Sequence, residues 1–158
     1  NGFVNLFLKE VFTLENLPAP EIFIDKNGQW YADGVLMTRK DIVKLFASHL
    51  RKESDNQYYI VWQNQWYPVQ VEDVPFFVQS VTEQDGQLMI SLYDGREMPL
   101  PSGKMIIKNN IPYITLFWPG DTKLSHAAYN ELGKRAIERN GQYYINYEGN
   151  EWPVIEMR

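Results

Sequence analysis

One alternating pattern of apolar and polar positions occurs twice along the chain. Residues 57–69 read QYYIVWQNQWYPV, and residues 142–154 read QYYINYEGNEWPV. The Gln-Tyr-Tyr-Ile and Pro-Val segments recur at one constant spacing, with aromatic residues at matching places between them. Period-two alternation is typical of β-strands. We therefore predict two strands in each run, and we interpret the repeat as an internal duplication around which the chain is built.

The first strand of the repeat is apolar on both faces. Tyr59 and Val61 point away from the side to which Ile60 points, because successive residues of a strand face opposite ways. Two apolar faces predict a strand that is covered on both sides. Pro68 has no N–H to donate to a sheet, so the strand that contains it is predicted to be bulged or to lie at an edge.

Apolar residues at helical spacing predict three helices. The first covers residues 1–17 and ends before Pro18. The second covers 39–52, with Thr38 as its N-cap. The third covers 125–139, with Ser125 as its N-cap and Asn140-Gly141 as a left-handed C-cap. The residues predicted to face inward are Ile42, Leu45, Phe46, His49 and Leu50 in the second helix and Tyr129, Leu132 and Ala136 in the third.

Turn signals such as Asn27-Gly28 and Asp33-Gly34 separate the remaining short strands. Each half of the chain then reads as β-hairpin, helix, β-hairpin, which predicts an α+β fold of two related halves. We place an N-terminal α+β subdomain at residues 1–74 and a C-terminal one at 75–158. The two halves are expected to pack across a shared groove.

Composition narrows the function classes. The 158-residue chain contains no cysteine, which excludes disulfides, thiolate zinc sites and cysteine nucleophiles. Its formal net charge of −5 gives no electrostatic footprint for bulk duplex nucleic acid. No apolar run reaches the roughly 20 residues that span a bilayer. The expected location is the cytoplasm, and the first residue, Asn1, leaves open whether native N-terminal residues are missing.

Several segments resemble a bacterial family catalogued as domain of unknown function 1285 (DUF1285). Its pattern is a strand, a glycine turn and a tryptophan, then a basic helix start and a Val-Glu-Asp-x-Pro-Phe linker. The resemblance covers the N-terminal half and thins after Val81. The matching segments are IDKNGQW at 24–30, RKDIVKLF at 39–46, LR at 50–51, YYIV at 58–61 and VEDVPF at 71–76.

The resemblance implies a two-part α+β fold, with a second part loosely similar to pleckstrin-homology-like barrels. It also implies a signalling role and a nucleotide-like ligand between the parts, without an established activity. The family usually carries a Pro-Val-Glu-Lys turn after the tyrosine strand, whereas this chain has Gln63-Asn64-Gln65-Trp66 there.

The basic start of the second predicted helix is the main candidate for ligand binding. Arg39 and Lys40 lie near free backbone N–H groups and the positive end of the helix dipole, which favours an anion such as phosphate. Cations are locally unfavourable there, so a ligand or the acidic pair Glu72 and Asp73 is expected to compensate. The alternative is a solvated helix face. The candidate ligand-binding residues are Arg39, Lys40, Arg51, Glu72, Asp73 and Trp30.

Other side chains have weaker functional interpretations. His49 and His126 lack partners at metal-ligand spacing, so core or surface roles are expected for them, and no metal or cofactor is predicted. Aromatic residues of the repeat could stack on bases or sugars, although filling the core is the commoner role for such residues. The aromatic residues in question are Trp62, Trp66, Tyr67, Tyr147 and Trp152.

Three functions stay open at this point. The first is a non-catalytic binding module for a nucleotide-like or other phosphorylated ligand, with a signalling role. The second is a protein–protein interaction module that uses an exposed strand, for which Asn146 in place of Val61 singles out the second copy. The third is a hydrolase of unknown type, for which the sequence gives no catalytic pair, so an enzyme is the less expected outcome.

Overall fold

The computed structural model describes residues 19–54 and 56–157 and divides the chain into two compact units, Asn1–Asp73 and Val74–Arg158. The helix predicted over residues 1–17 lies outside the described residues. Over the described part the chain is mixed α+β, with fifteen strands and two helices.

The first unit forms a six-stranded sheet in its described part, in the order β3-β2-β1-β6-β5-β4. The strands are β1 (Ile22–Ile24), β2 (Trp30–Ala32), β3 (Val35–Leu36), β4 (Leu50–Lys52), β5 (Tyr58–Trp62) and β6 (Gln65–Val71). Helix α1 (Lys40–Ser48) connects β3 to β4 and buries Ile42, Val43, Phe46 and Ala47. Trp30 packs against Phe46 with ring centroids 6.4 Å apart, which joins the helix to one face of the sheet.

The second unit forms a nine-stranded sheet in its described part, in the order β13-β14-β15-β10-β11-β12-β7-β8-β9. Its first three strands are β7 (Phe76–Gln84), β8 (Gln87–Leu92) and β9 (Glu97–Pro99). The others are β10 (Met105–Lys108), β11 (Ile111–Ile114), β12 (Thr122–Leu124), β13 (Ala136–Arg139), β14 (Gln142–Tyr147) and β15 (Asn150–Met157). Helix α2 (His126–Gly133) buries Ala128 and Leu132 in a core that includes Val78, Leu92, Ile145 and Trp152.

The strand registers of the repeated segments match position for position. In β5 and β6, Tyr59 is opposite Pro68, and in β14 and β15, Tyr144 is opposite Pro153. The parallel pairing of β6 with β1 begins at Val69, as that of β15 with β10 begins at Val154. A side-chain amide from the start of β5 and one from the start of β14 each reach the carbonyl of that valine. The two repeated segments therefore share one pattern of strand registers, and the internal duplication stays an interpretation of the sequence.

After its helix, each repeat has three strands where the sequence predicted two. The additional strands, β4 and β13, occupy the ends of the two predicted helices. Helix α1 ends at Ser48 instead of residue 52, and helix α2 ends at Gly133 instead of residue 139. Leu50 and Ala136 then pair with Ile60 and Ile145 of the next strands, so sheet pairing overrides helical periodicity in these short segments. The likeness of the second part to pleckstrin-homology-like barrels stays a prediction.

Turns and caps also differ from the prediction in three places. Asn140 and Gly141 have positive φ angles of 53° and 82°, but they form the two-residue turn of the β13–β14 hairpin, not a helix C-cap. Arg39, not Thr38, is the N-cap of α1, and no side chain caps that helix. At α2 the prediction is confirmed, because the Ser125 Oγ accepts a hydrogen bond from the Ala128 N–H at 3.0 Å.

Two predictions about the tyrosine strands are wrong. The strand that contains Pro68 lies in the interior of its sheet, between β1 and β5. The proline is accommodated because it stands one residue before the parallel ladder with β1 begins at Val69. Strand β5 is deeply buried on one face only, since Ile60 is buried whereas Tyr59 and Val61 are half-buried.

Candidate functional site

The basic start of α1 already holds its own counterion. Arg39 has an extended backbone, with φ −78° and ψ 100°, and α1 begins at Lys40. The Arg39 guanidinium donates two hydrogen bonds to Asp41, from Nη2 to Oδ2 at 2.6 Å and from Nε to Oδ1 at 3.1 Å. This two-point geometry is the strongest form of an arginine–carboxylate contact.

Electrostatics at the helix start follow from that ion pair. The hydrogen bond from Arg39 lowers the pKa of the Asp41 carboxyl, and the same bond raises the pKa of Arg39. Asp41 is an acidic residue in the first helical turn, where the helix dipole favours a negative charge. We expected a ligand or the acidic linker to compensate the positive charge at the helix start. In the structure, Asp41, two residues from Arg39, provides that negative charge.

Glu72 has a structural partner at the end of β6. Its backbone N–H donates to the carbonyl of Ile24 at 2.9 Å, and its Oε2 accepts a hydrogen bond from the Lys26 N–H at 2.8 Å. The glutamate thus ties the end of β6 to the β1–β2 turn. Three strand spacings, roughly 14 Å, separate β6 from β3, which precedes Arg39. Asp73, the next residue, is exposed, and a role for it in ligand binding stays a prediction.

Trp30 lies in the core of the first unit. Only 2% of its surface is exposed, and its ring contacts Phe46 of α1. A side chain buried to this degree cannot offer its ring to a ligand without opening the core. The tryptophan of the family motif therefore holds the helix on the sheet.

Arg51 lies on the opposite side of the sheet from α1. Leu50 and Ile60 are buried partners that face the helix side, so their neighbours Arg51 and Tyr59, which are also directly opposite each other, point outward. We call this side of the first sheet the outward face. Its residues in β4, β5 and β6 are Arg51, Tyr59, Val61, Trp66, Pro68 and Gln70.

The outward face presents aromatic rings beside a cation. Trp66 is 49% exposed, and its ring meets that of Tyr59 edge to face, with centroids 5.6 Å apart. The Arg51 guanidinium donates from Nη1 to the carbonyl of Leu50 at 2.8 Å, and its side chain is exposed. Farther along the same face, Phe23 and Tyr31 contact each other at 5.9 Å. Such a surface offers stacking planes and a positive charge together.

The structure therefore separates the predicted set of site residues. Arg39 and Lys40 belong to the helix layer, Arg51 belongs to the outward face, and Trp30 is in the core between them. The sequence did not reveal that Trp66 is exposed on the same face as Arg51, although Trp66 was considered as a stacking residue. The alternation in the repeat could have revealed this exposure, because it places Trp66 and Tyr59 on the face of the sheet opposite to that of Ile60.

The remaining aromatic residues of the repeat lie in different surroundings in the two units. Trp152 and Tyr147 are buried in the core of the second unit and contact each other at 6.3 Å. Trp62 contacts His49 at 4.8 Å, and the His49 Nδ1 lies 2.9 Å from the carbonyl oxygen of Leu45 at the end of α1. His49 thus has a structural position, as expected.

His126 is the first residue of α2 and is exposed. Within residues 19–54 and 56–157, no group of three or more histidine, aspartate and glutamate side chains could hold a metal ion.

An aromatic cluster in the second unit surrounds Arg96. Its guanidinium makes a two-point ion pair with the buried Asp94, at 3.0 and 2.9 Å, and lies 5.0 Å from the ring of Phe76. Phe76 stacks on Trp118 at 5.7 Å and meets Phe117 at 5.4 Å. The sequence did not predict this cluster.

Asp121 fixes the loop that carries two of those rings. Its carboxylate, 2% exposed, accepts hydrogen bonds from the backbone N–H groups of Leu116, Phe117 and Trp118 at 2.8 to 2.9 Å. It also accepts one from the Thr122 hydroxyl at 2.8 Å. These hydrogen bonds connect the loop backbone to one carboxylate, and two rings of the loop contact Phe76.

In the described part of the chain, both helices are too short and too polar to cross a membrane. A search of curated proteins found no match. Residues 15–74 match the family model described as "Domain of unknown function (DUF1285), N-terminal domain".

Two solved structures resemble the fold over most of the chain. A DUF1285 family protein from Silicibacter pomeroyi DSS-3 is 20% identical, with a TM-score of 0.70 over 86% of this chain and 80% of that one. A DUF1285 family protein from Shewanella baltica OS155 is 25% identical, with a TM-score of 0.62 over 73% of this chain and 91% of that one. The resemblance to the DUF1285 family that the sequence indicated is therefore confirmed, through a match to its N-terminal domain and structural similarity to two proteins of that family.

Proposed function

We propose that this chain is a non-catalytic binding module whose first unit binds a nucleotide-like ligand on its outward face. One observation carries the proposal: Arg51 lies directly across from Tyr59, and the Tyr59 ring contacts the half-exposed ring of Trp66 on the same face. A nucleotide combines a flat base with a negatively charged phosphate, and this surface combines aromatic planes with a cation.

The chemistry of both contacts is well matched to such a ligand. A base that stacks on an aromatic side chain gains about 1–3 kcal/mol, whatever the base, because each base has a π-face. An arginine guanidinium binds phosphate oxygens through two parallel hydrogen bonds, which a lysine cannot reproduce. The negative charge of the whole chain makes a long duplex an unsuitable ligand, but it does not prevent one small phosphorylated molecule from binding beside Arg51.

The start of α1 is the weaker of the two candidate sites. The Arg39 guanidinium is engaged with Asp41 through two hydrogen bonds, so a phosphate there would have to compete with a carboxylate. The Asp41 carboxylate would also repel the phosphate at a distance of a few ångströms. Arg51 has no such carboxylate among its hydrogen-bond partners in the described part of the chain.

A thermal-shift experiment tests the proposal with ATP, adenosine and tripolyphosphate as separate probes. A ligand present at 100 times its dissociation constant should stabilise the folded chain by about 2.7 kcal/mol, which raises Tm. ATP should give the largest shift, because only ATP supplies both the base and the phosphates. Arg51→Gln should reduce the ATP shift, whereas the matched variant Arg39→Gln, which removes the same charge from the N-cap of α1, should leave the ATP shift unchanged.

The same samples distinguish the alternatives. A loss in Arg39→Gln alone would place the ligand at the helix start, and equal losses in both arginine variants would indicate a nonspecific charge effect. No shift with ATP would refute nucleotide binding. Release of phosphate from ATP would favour the hydrolase alternative. A signalling role remains a hypothesis that comes from the family resemblance alone.

A protein–protein interaction module is the second candidate, but not through the strand that the sequence singled out. Strand β14, which contains Asn146, is paired on both sides, with β13 and β15. The strand that favours this function is β3, which is at the edge of the first sheet as far as the described residues form it, and where Val35 is 68% exposed and Leu36 is also exposed. An apolar edge strand offers unpaired backbone groups to another chain, and light scattering on the pure protein would detect self-association.

A further inference from the structure

The two units share the framework of the outward face. Tyr59 and Pro68 are opposite each other in the first unit, and Tyr144 and Pro153 are opposite each other in the second. Both tyrosines are half-buried and point away from the buried isoleucine that follows each of them. The second sheet therefore presents a tyrosine and a proline in the arrangement that the first sheet presents.

The residues that would bind a nucleotide differ between the units. In the strand next to the tyrosine, Arg51 is directly opposite Tyr59, whereas Ile137 is directly opposite Tyr144. Trp66 lies opposite Val61 in the first unit, and Glu151 lies opposite Asn146 in the second. Glu151 therefore occupies in the second unit the position that Trp66 occupies in the first. Glu151 is held by Arg139, whose Nη1 donates to its Oε2 at 2.6 Å.

We infer that the chain binds one nucleotide, on the first unit alone, and that Arg51 and Trp66 determine this selectivity. The inference rests on the proposed function. The shared tyrosine cannot suffice for binding, because the second unit has it as well. A carboxylate at the position of the stacking ring repels phosphate, and an isoleucine at the position of the guanidinium offers no donor.

Isothermal titration calorimetry with ATP on the full chain measures the stoichiometry directly. The expected value is one ATP per chain. Tyr59→Leu should weaken binding about 5- to 150-fold, the range that corresponds to loss of one stacking contact. Tyr144→Leu, the same substitution at the matching position of the second unit, should change the affinity less than about twofold. Circular dichroism checks that both variants fold.

Trp66→Glu provides a second variant that does not depend on a half-buried position. Trp66 is exposed, and glutamate is the residue that the second unit carries at that place, so the fold should tolerate the change. It should abolish measurable ATP binding. The matched control, Glu151→Gln, removes a charge from the second unit and should leave ATP binding unaltered.

The outcomes separate the inference from the proposed function. Two ATP per chain, or equal losses in Tyr59→Leu and Tyr144→Leu, would overturn the inference while nucleotide binding itself stands. Full binding by Trp66→Glu would also overturn it. Failure of the unaltered chain to bind ATP would overturn both.

Discussion

Two buried polar groups in the core of the second unit have different environments. The Leu88 N–H donates to the Tyr147 hydroxyl oxygen at 3.1 Å, although the two residues are 59 positions apart in the chain. Among the buried side-chain nitrogen and oxygen atoms of the described residues, only the indole Nε1 of Trp152 lacks a hydrogen-bond partner. A buried donor without an acceptor costs about 1–3 kcal/mol, so each polar contact that is made in this core matters for stability.

Tyr147→Phe should therefore lower the free energy of unfolding by about 1–3 kcal/mol, even though it deletes one oxygen atom and keeps the ring. The cost arises because the Leu88 N–H would stay buried without an acceptor. Urea denaturation followed by circular dichroism measures it. Tyr143→Phe is the control, since Tyr143 is exposed on the same strand and its hydroxyl should contribute almost nothing. Equal stability of the two variants would show that the Leu88 N–H finds another acceptor.

Residue types alone could not reveal which polar side chains form the candidate site. Arg39 and Arg51 are equally basic in the sequence, yet Arg39 pairs with Asp41 and Arg51 shares a face with Tyr59 and Trp66. The difference depends on strand register, and the register depends on where α1 ends. The sequence pattern extended that helix through Arg51, so the arginine was assigned to the wrong element.

At the scale of elements, the two helices differ in how their N-terminal ends are capped. Ser125 accepts a hydrogen bond from the Ala128 N–H and donates one to the carbonyl of Gln79 at 2.7 Å, so it joins the start of α2 to β7. Helix α1 lacks a side-chain cap. The sequence identified the first of these starts because serine before a helical stretch is a strong signal, and it misplaced the second because threonine gives the same signal.

Ser125→Ala should reduce the free energy of unfolding by about 1–2 kcal/mol, at the upper end of the range for N-caps, because it removes two hydrogen bonds. Thr38→Ala should change the free energy of unfolding by less than about 0.5 kcal/mol, the usual limit for an exposed residue outside such features. Urea denaturation of both variants tests the pair. A larger loss for Thr38→Ala would mean that the threonine caps α1 in solution after all.

At the scale of the whole molecule, the repeat in the sequence predicted more of the fold than any single motif did. Both copies keep a buried isoleucine, an outward tyrosine and a proline just before the parallel ladder, because these positions serve packing and pairing in either sheet. The additional strands β4 and β13 could not be read from the pattern. Each is short, and each forms through pairing with a strand that follows it in the chain.

The shared register leads to a matched prediction in the two units. Ile60 and Ile145 are buried at equivalent positions, opposite Tyr67 and Trp152. Ile60→Ala and Ile145→Ala should each lower the free energy of unfolding by about 2–5 kcal/mol, because each leaves a cavity in a core. The substitution has the same chemistry and the same place in both units, so both losses should fall in that range.

The neighbouring positions serve as controls, because they point to the opposite face. Val61→Thr and Asn146→Ala should each cost less than about 1 kcal/mol, since Val61 is half-buried and Asn146 is exposed. Urea denaturation of the four variants measures the contrast within each pair. A slip of one residue in either sheet would move every inward side chain to the outward side. A large loss of stability at Val61 or Asn146, together with a small loss at the isoleucine of the same strand, would therefore disprove the register. The outward face and its candidate site are derived from that register.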